Sequence, residues 1–148
     1  MENTITILVA DRNRHVRELL KRELTEVGYR VFLAKTAQEI SDHLFGPRKP
    51  DLLIMDPDLP DSGNLAVLNQ LPKQFPSLPI VLHMHSTDAM GWADIKAIGS
   101  VEKTGSSIER VKSIVSEIVR QLKSVDHSPQ RPVAEGNFYN QQSDFKDS

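Results

Sequence analysis

The stretch TITILVADRNRHVRELL, Thr4–Leu20, changes its hydrophobic period halfway along. Its first part, Thr6–Ala10, is short, apolar and partly β-branched, the composition of a strand buried on both faces. From Arg14 the apolar positions are Val16, Leu19, Leu20, Leu24 and Val27, which is helical spacing, with Asn13 placed to cap the helix and Gly28 to stop it. Such a stretch is the first half of a β–α unit. At its junction stands an acid, Asp11, followed at once by Arg12. A second carboxylate there would suit a metal ion, whereas an arginine would repel one.

Outward from this unit the alternation repeats. RVFLA (Arg30–Ala34) reads as a second strand, and TAQE (Thr36–Glu39) has the form of a capping box, with Ala37, Ile40 and Leu44 behind it and Gly46 at the exit. DLLIM (Asp51–Met55) is the third strand, followed by a loop of turn residues, DPDLPDSGN. A helix is expected through Leu65, Leu68 and Leu71, weakened at its end by Pro72. PIVLHM (Pro79–Met84) is the fourth strand. STDAMGWADIKAIG reads as a short helix with Met90, Ala93 and Ala97 facing inward, and Ser100–Lys103 as a brief fifth strand. Ser106 and Glu109 form another capping box ahead of an apolar stripe at Ile108, Val111, Ile114, Val115, Ile118 and Leu122. This predicts one domain over residues 1–125 and a flexible polar tail over 126–148. With right-handed crossovers the expected fold is α/β, a flavodoxin-like three-layer sandwich with a five-stranded parallel sheet in the order 2-1-3-4-5 and five helices.

Composition narrows the function. The 148 residues carry a formal net charge of −2, which argues neither for bulk affinity for nucleic acid nor for a strongly acidic tail. Cysteine is absent, so disulfides, zinc–thiolate sites and thiol catalysis are excluded. No basic segment leads into a long apolar run at the N-terminus, and no segment reaches the ~20 apolar residues of a membrane span. The expectation is a cytoplasmic protein that touches neither membrane nor nucleic acid.

Sheets of this kind hold their chemistry at the carboxyl ends of the strands, where strand order reverses. Asp11 ends the first strand, Asp56 the third and Lys103 the fifth. Strands one and three are neighbours in the expected order, so two carboxylates face each other with an ammonium across from them. Oxygen ligands suit Mg²⁺, lysine supplies a point charge for a phosphoryl group, and a carboxylate can itself accept that group. The competing reading makes the acids helix or loop caps and Lys103 a surface lysine. His83 and His85, two apart on a strand, share a face as a pair of metal ligands might, but have no third ligand; the structural reading is preferred. Arg14, Arg17 and Lys21 form a basic stripe that reads first as a solvated helix face. Trp92 and the aromatics of the tail need no special explanation.

The ILVAD strand end, the segment LLIMDPDLP with its proline four residues after the acid, the LPIVL strand and the lysine closing strand five together resemble the receiver domain of two-component response regulators, over nearly all of residues 4–124. The resemblance implies that Asp56 is the phosphoacceptor and takes its phosphoryl group from a histidine kinase or histidine phosphotransfer protein. It implies that Asp11 helps to hold Mg²⁺, that the backbone carbonyl of Asp58 ligates it, and that Lys103 pairs with the phosphoryl oxygens. The implied protein is a signalling phosphoacceptor rather than an enzyme, acting through protein–protein contacts on a downstream partner that the sequence does not name.

The chain also departs from that pattern. Arg12 stands where the family has its second acid, a direct metal ligand, and its guanidinium is placed to reach Asp56 or Asp58 or to swing outward. Met84 replaces the strand-four hydroxyl residue, Ser100 the strand-five aromatic, Thr104 the proline after the lysine, and Gly63 comes one position early. His85 takes a small residue's place beside the site. Two further readings therefore stand beside the receiver. One is a pseudo-receiver docking module, with Arg12 in place of the metal and no phosphotransfer. The other is a small flavodoxin-like cofactor binder or enzyme, disfavoured because no glycine-rich loop is present to cradle a flavin or nucleotide.

Overall fold

In the computed structural model the described residues are 4–61, 65–85 and 97–126, with side chains described for all but 65–69 and 124–126. Strand β1 (Thr6–Ala10) leads to helix α1 (Arg14–Val27), β2 (Arg30–Ala34), α2 (Ala37–Leu44), β3 (Leu52–Met55), α3 (Leu65–Gln74), β4 (Ile80–Met84), β5 (Gly99–Glu102) and α4 (Ser107–Asp126). All strand pairs are parallel and the order is β2-β1-β3-β4-β5, as expected. Four helices lie among the described residues. The short helix expected between β4 and β5 falls largely on 86–96, and the expected tail on 127–148; both lie outside them.

The strand ends set the register that matters. Leu8 pairs with Leu53 and Ala10 with Met55, so the next residues along, Asp11 and Asp56, leave the sheet side by side. The ladder carries one step further, because Asp11 N–H donates to Ala34 O at 3.1 Å and Asp56 N–H to Ala10 O at 2.9 Å. Both acids therefore have main-chain positions as firm as those of the strands themselves.

Side chains alternate across the sheet with period two. On one face Leu8, Ala10, Leu53, Met55, Ile80, Leu82 and Met84 form a buried cluster with Ala37, Ile40 and Leu44 of α2 and Leu71 of α3. The alternate residues Ile7, Val9, Leu52, Ile54, Val81 and Val101 are also buried, at 3% exposure or less. On that second face His83 meets Ser107 of α4, and Lys112 of α4 pairs with Glu23 of α1 at 3.0 Å. No helix among the described residues is long and apolar enough to cross a membrane.

The caps of α1 are those read from the sequence: Asn13 Oδ1 accepts from Val16 N–H, and Gly28 takes the left-handed conformation at φ 118°. At α2 Thr36 caps Glu39 N–H at 3.0 Å, while the Glu39 carboxylate reaches back to Lys35 N–H rather than to the cap residue itself. The bounds of several strands and helices differ from those expected. Asp51 lies just before β3, and its carboxylate accepts from Thr6 N–H at 2.8 Å. Helix α3 runs through Pro72 to Gln74, and Phe75 N–H still bonds Leu71 O at 2.8 Å. Strand β5 begins at Gly99 and ends at Glu102, one residue before the lysine. No Ser106–Glu109 capping box forms; Ser106 N–H lies 3.4 Å from the Thr104 hydroxyl instead. The compact unit containing the sheet ends at Val115, within α4. In the remainder of that helix Arg120 and Gln121 both reach Glu117, one turn back.

Candidate functional site

Three of the residues singled out at the strand ends converge. Lys103 Nζ lies 2.8 Å from Asp11 Oδ2 and 2.6 Å from Asp56 Oδ2, bridging the two acids. Asp11 and Asp56 are buried, at 1% and 3% exposure, and Lys103 is nearly so. The remaining carboxylate oxygens take backbone donors: Asn13 N–H on Asp11 Oδ1 at 2.9 Å and Asp58 N–H on Asp56 Oδ1 at 2.8 Å. Lys103 itself is held by its own N–H on Met84 O at 2.8 Å. Burial pushes the ammonium toward its neutral form, but its two hydrogen-bonded carboxylates outweigh that, and its pKa lies above the ordinary lysine value. The reading of the acids as caps and the lysine as a surface charge is thereby overturned for Lys103.

Arg12 turns toward the site rather than away from it. Its Nε donates to the backbone carbonyl of Asp58 at 3.1 Å, and Nη2 lies 3.7 Å from the Asp58 carboxylate. The contact to Asp58 is thus made chiefly through the main chain, not as a bidentate carboxylate pair. Its geometry depends on a residue that the sequence offered only as part of a basic stripe. Arg17 Nη1 donates to the carbonyls of both Asp11, at 2.8 Å, and Arg12, at 3.1 Å, pinning the turn between β1 and α1. Its position one turn into the helix behind the acid is the signal that could have found it. Arg14 instead pairs along the helix with Glu18, fully at the surface.

Asp61 stands among the turn residues of the DPDLPDSGN loop. Its carboxylate accepts from Ala37 N–H at 2.7 Å and Gln38 N–H at 3.0 Å, tying the loop that follows Asp56 to the N-terminus of α2. Desolvation acts to raise its pKa, but the backbone donors prevail and hold it below the usual carboxylate value. Asp61→Ala is expected to cost about 1–2 kcal/mol at pH 7 in urea unfolding. Because the folded-state pKa is the lower one, this contribution is present above about pH 4 and is lost as pH falls further, so the gap between wild type and variant closes there.

His83 does not join His85 as a ligand pair. His83 is buried at 2% exposure with Nε2 2.9 Å from the Ser107 hydroxyl, while His85 is exposed. No group of three or more His, Cys, Asp or Glu side chains placed to hold a metal occurs among the described residues. Burial, and next the charge of Lys103, lower the His83 pKa, so the ring is neutral at pH 7. The unfolded chain takes up its proton near pH 6.5 and the fold only at lower pH, so stability falls as pH drops below about 6.5, by at most about 1.4 kcal/mol per pH unit. Urea unfolding between pH 5 and 8 is expected to lose this slope in His83→Gln and to keep it in His85→Gln.

At the remaining departures, Met84 is buried in the apolar cluster of the α2 and α3 face, so no hydroxyl faces the site from that position. Ser100 is exposed and lines an open cavity of about 540 Å³ with Val101, Ser106, Glu109, Arg110, Ser113 and Ile114. Thr104 is exposed, and Gly63 lies outside the described residues.

A divalent cation that used Asp11, Asp56 and the Asp58 carbonyl would meet all three groups already engaged. Lys103 spans the carboxylates and Arg12 holds the carbonyl. As arranged, the residues present do not fit such an ion.

Comparison with known proteins agrees with this fold. A family model described as the response regulator receiver domain matches residues 7–115. The response regulator MprA of Mycolicibacterium vanbaalenii is 38% identical over 78 residues, covering 53% of this chain and 33% of that protein. MprA of Mycobacterium bovis BCG is 39% identical over 79 residues, covering 53% and 34%. The chain thus matches about a third of the length of these curated relatives. Among solved structures, the response regulator TrrA of Thermotoga maritima, in complex with Mg²⁺–BeF, superposes with a TM-score of 0.68 at 28% identity, covering 78% of this chain and 99% of that one. The signal receiver domain of a putative LuxO repressor from Vibrio parahaemolyticus has a TM-score of 0.69 at 18% identity, covering 85% and 99%, a likeness of fold alone. A family match that takes in every strand of the sheet, from β1 to β5, leaves one conclusion: the chain belongs to the response regulator receiver domain family.

Proposed function

We propose that this chain is the receiver of a two-component phosphorelay and accepts a phosphoryl group on Asp56 from a histidine kinase or histidine phosphotransfer protein. The observation that carries this reading is the position of Lys103, 2.6 Å from Asp56 Oδ2 in a crevice that Asp11 closes from the neighbouring strand. In the reaction a carboxylate oxygen of Asp56 attacks phosphorus and the P–N bond of the donor breaks. The donor imidazole keeps the electron pair and takes up a proton. Lys103 is placed to follow the charge onto the phosphoryl oxygens, and Asp58 N–H to hold the other oxygen of Asp56.

The product is a signal rather than a turnover, read by a protein partner. With Met84 buried among apolar groups and a serine at position 100, the readout uses other contacts than a strand-four hydroxyl and a strand-five aromatic. The test is incubation with acetyl phosphate, with and without MgCl₂, followed by intact mass. Wild type is expected to gain one phosphoryl group, stable in acid and lost in base, and Asp56→Asn to gain none. Absence of the adduct from wild type under both conditions would overturn the reading.

A further inference from the structure

We propose that Arg12 is the resident cation of this crevice, so that the site excludes a divalent metal ion instead of recruiting one. The first support is position. Arg12 Nε donates at 3.1 Å to the carbonyl of Asp58, the backbone oxygen that the family resemblance assigns to a bound ion together with Asp11 and Asp56, with Nη2 3.7 Å from the Asp58 carboxylate. The second is preorganisation. Arg17 holds the carbonyls of Asp11 and Arg12, Asn13 N–H holds Asp11 Oδ1, and Asn13 caps α1, so the backbone that carries the guanidinium is tied at each residue of the turn.

The third support is charge. An arginine where an acid would otherwise stand adds two positive units beside Asp11, Asp56 and Asp58, the same change that a divalent ion makes. Lys103 already balances the buried acids on the other side. The Arg12–Asp58 pair is half exposed, so its own strength is small. Exclusion comes instead from the missing carboxylate ligand and from repulsion between the guanidinium and an incoming cation. For the phosphoacceptor reading above, on which only this consequence rests, a phosphoryl group on Asp56 then meets two side-chain cations, Arg12 and Lys103.

MgCl₂ alone is the probe, titrated into the full chain while the ¹H–¹⁵N shifts of residues 11, 56, 58, 59 and 103 are followed. Wild type is expected to show no saturable shift at millimolar MgCl₂. Arg12→Asp is expected to saturate, with affinity at least ~100-fold tighter. Arg12→Ala removes the guanidinium without adding a charge at this exposed position. It should bind Mg²⁺ at least ~10-fold more tightly than wild type, and it decides the matter should the aspartate variant misfold. Saturable binding by wild type within ~3-fold of either variant would overturn the proposal, as would variants that stay as unresponsive as wild type. The titration involves no phosphoryl donor, so it stands or falls separately from the acetyl phosphate test.

Discussion

Lys103→Met is expected to cost the fold about 3 kcal/mol in urea unfolding at pH 7. The ammonium is the shared partner of two buried carboxylates, at 2.8 Å from Asp11 and 2.6 Å from Asp56. Methionine keeps an unbranched side chain, one atom shorter, and removes the charge, leaving two acids facing each other with little solvent. Loss of one member of a buried pair costs about 3–5 kcal/mol, because the charge left behind is uncompensated. The lower end applies here, since each acid retains a backbone N–H donor, from Asn13 and from Asp58. Adding Asp56→Asn to the Lys103→Met variant should recover at least ~1 kcal/mol, because one of the two stranded charges is removed with nearly unchanged shape. A single-variant loss under ~1 kcal/mol, or a double variant no more stable than the single, would contradict the bridged arrangement.

Leu53→Ala is expected to destabilise by about 3–4 kcal/mol, the largest effect anticipated for a single core truncation in the sheet. Leu53 is fully buried on β3, between Leu8 of β1 and Ile80 of β4, and belongs to the cluster that seats α2 and α3. Strands on either side hold the backbone, so the cavity left by three lost carbons has little freedom to collapse. Phe45→Ala is the control. Phe45 is larger but 65% exposed, with its ring edge-on to Phe75 at 5.2 Å, and its loss should cost less than about 1 kcal/mol. Equal losses for the two variants, measured by thermal or urea unfolding, would mean that the core is not where the burial pattern places it.

Both effects arise from features of different legibility. Leu53 lies in a run of four uninterrupted apolar residues, and the alternation of such runs with helical periods implies parallel strands and crossovers. Asp11, Asp56 and Lys103 could be grouped because they are strand-end residues, and a parallel sheet brings those ends to one edge. The caps of α1 were legible for the same local reason, as both involve groups within a turn of one another.

Contacts between residues far apart in sequence were not legible in that way. Asp61 and Ala37 are 24 residues apart, and His83 and Ser107 likewise, and no periodicity links either pair. The Ser106–Glu109 pattern failed because a motif states what a side chain can bond, whereas competing neighbours such as Thr104 decide what it does bond. The Glu39 carboxylate took Lys35 N–H for the same reason.

Arg12 marks the boundary between the two kinds of knowledge. The sequence by itself determined the parallel sheet, the edge where its acids and lysine gather, and the presence of a cation where a metal ligand is expected. It did so because strand and helix periods are local and strand ends are topologically equivalent. Only the tertiary structure decided where that cation goes. A guanidinium on four rotatable bonds has several partners within reach of one backbone position, and the Asp58 carbonyl, brought up by β3, together with Arg17, supplied from α1, selects among them.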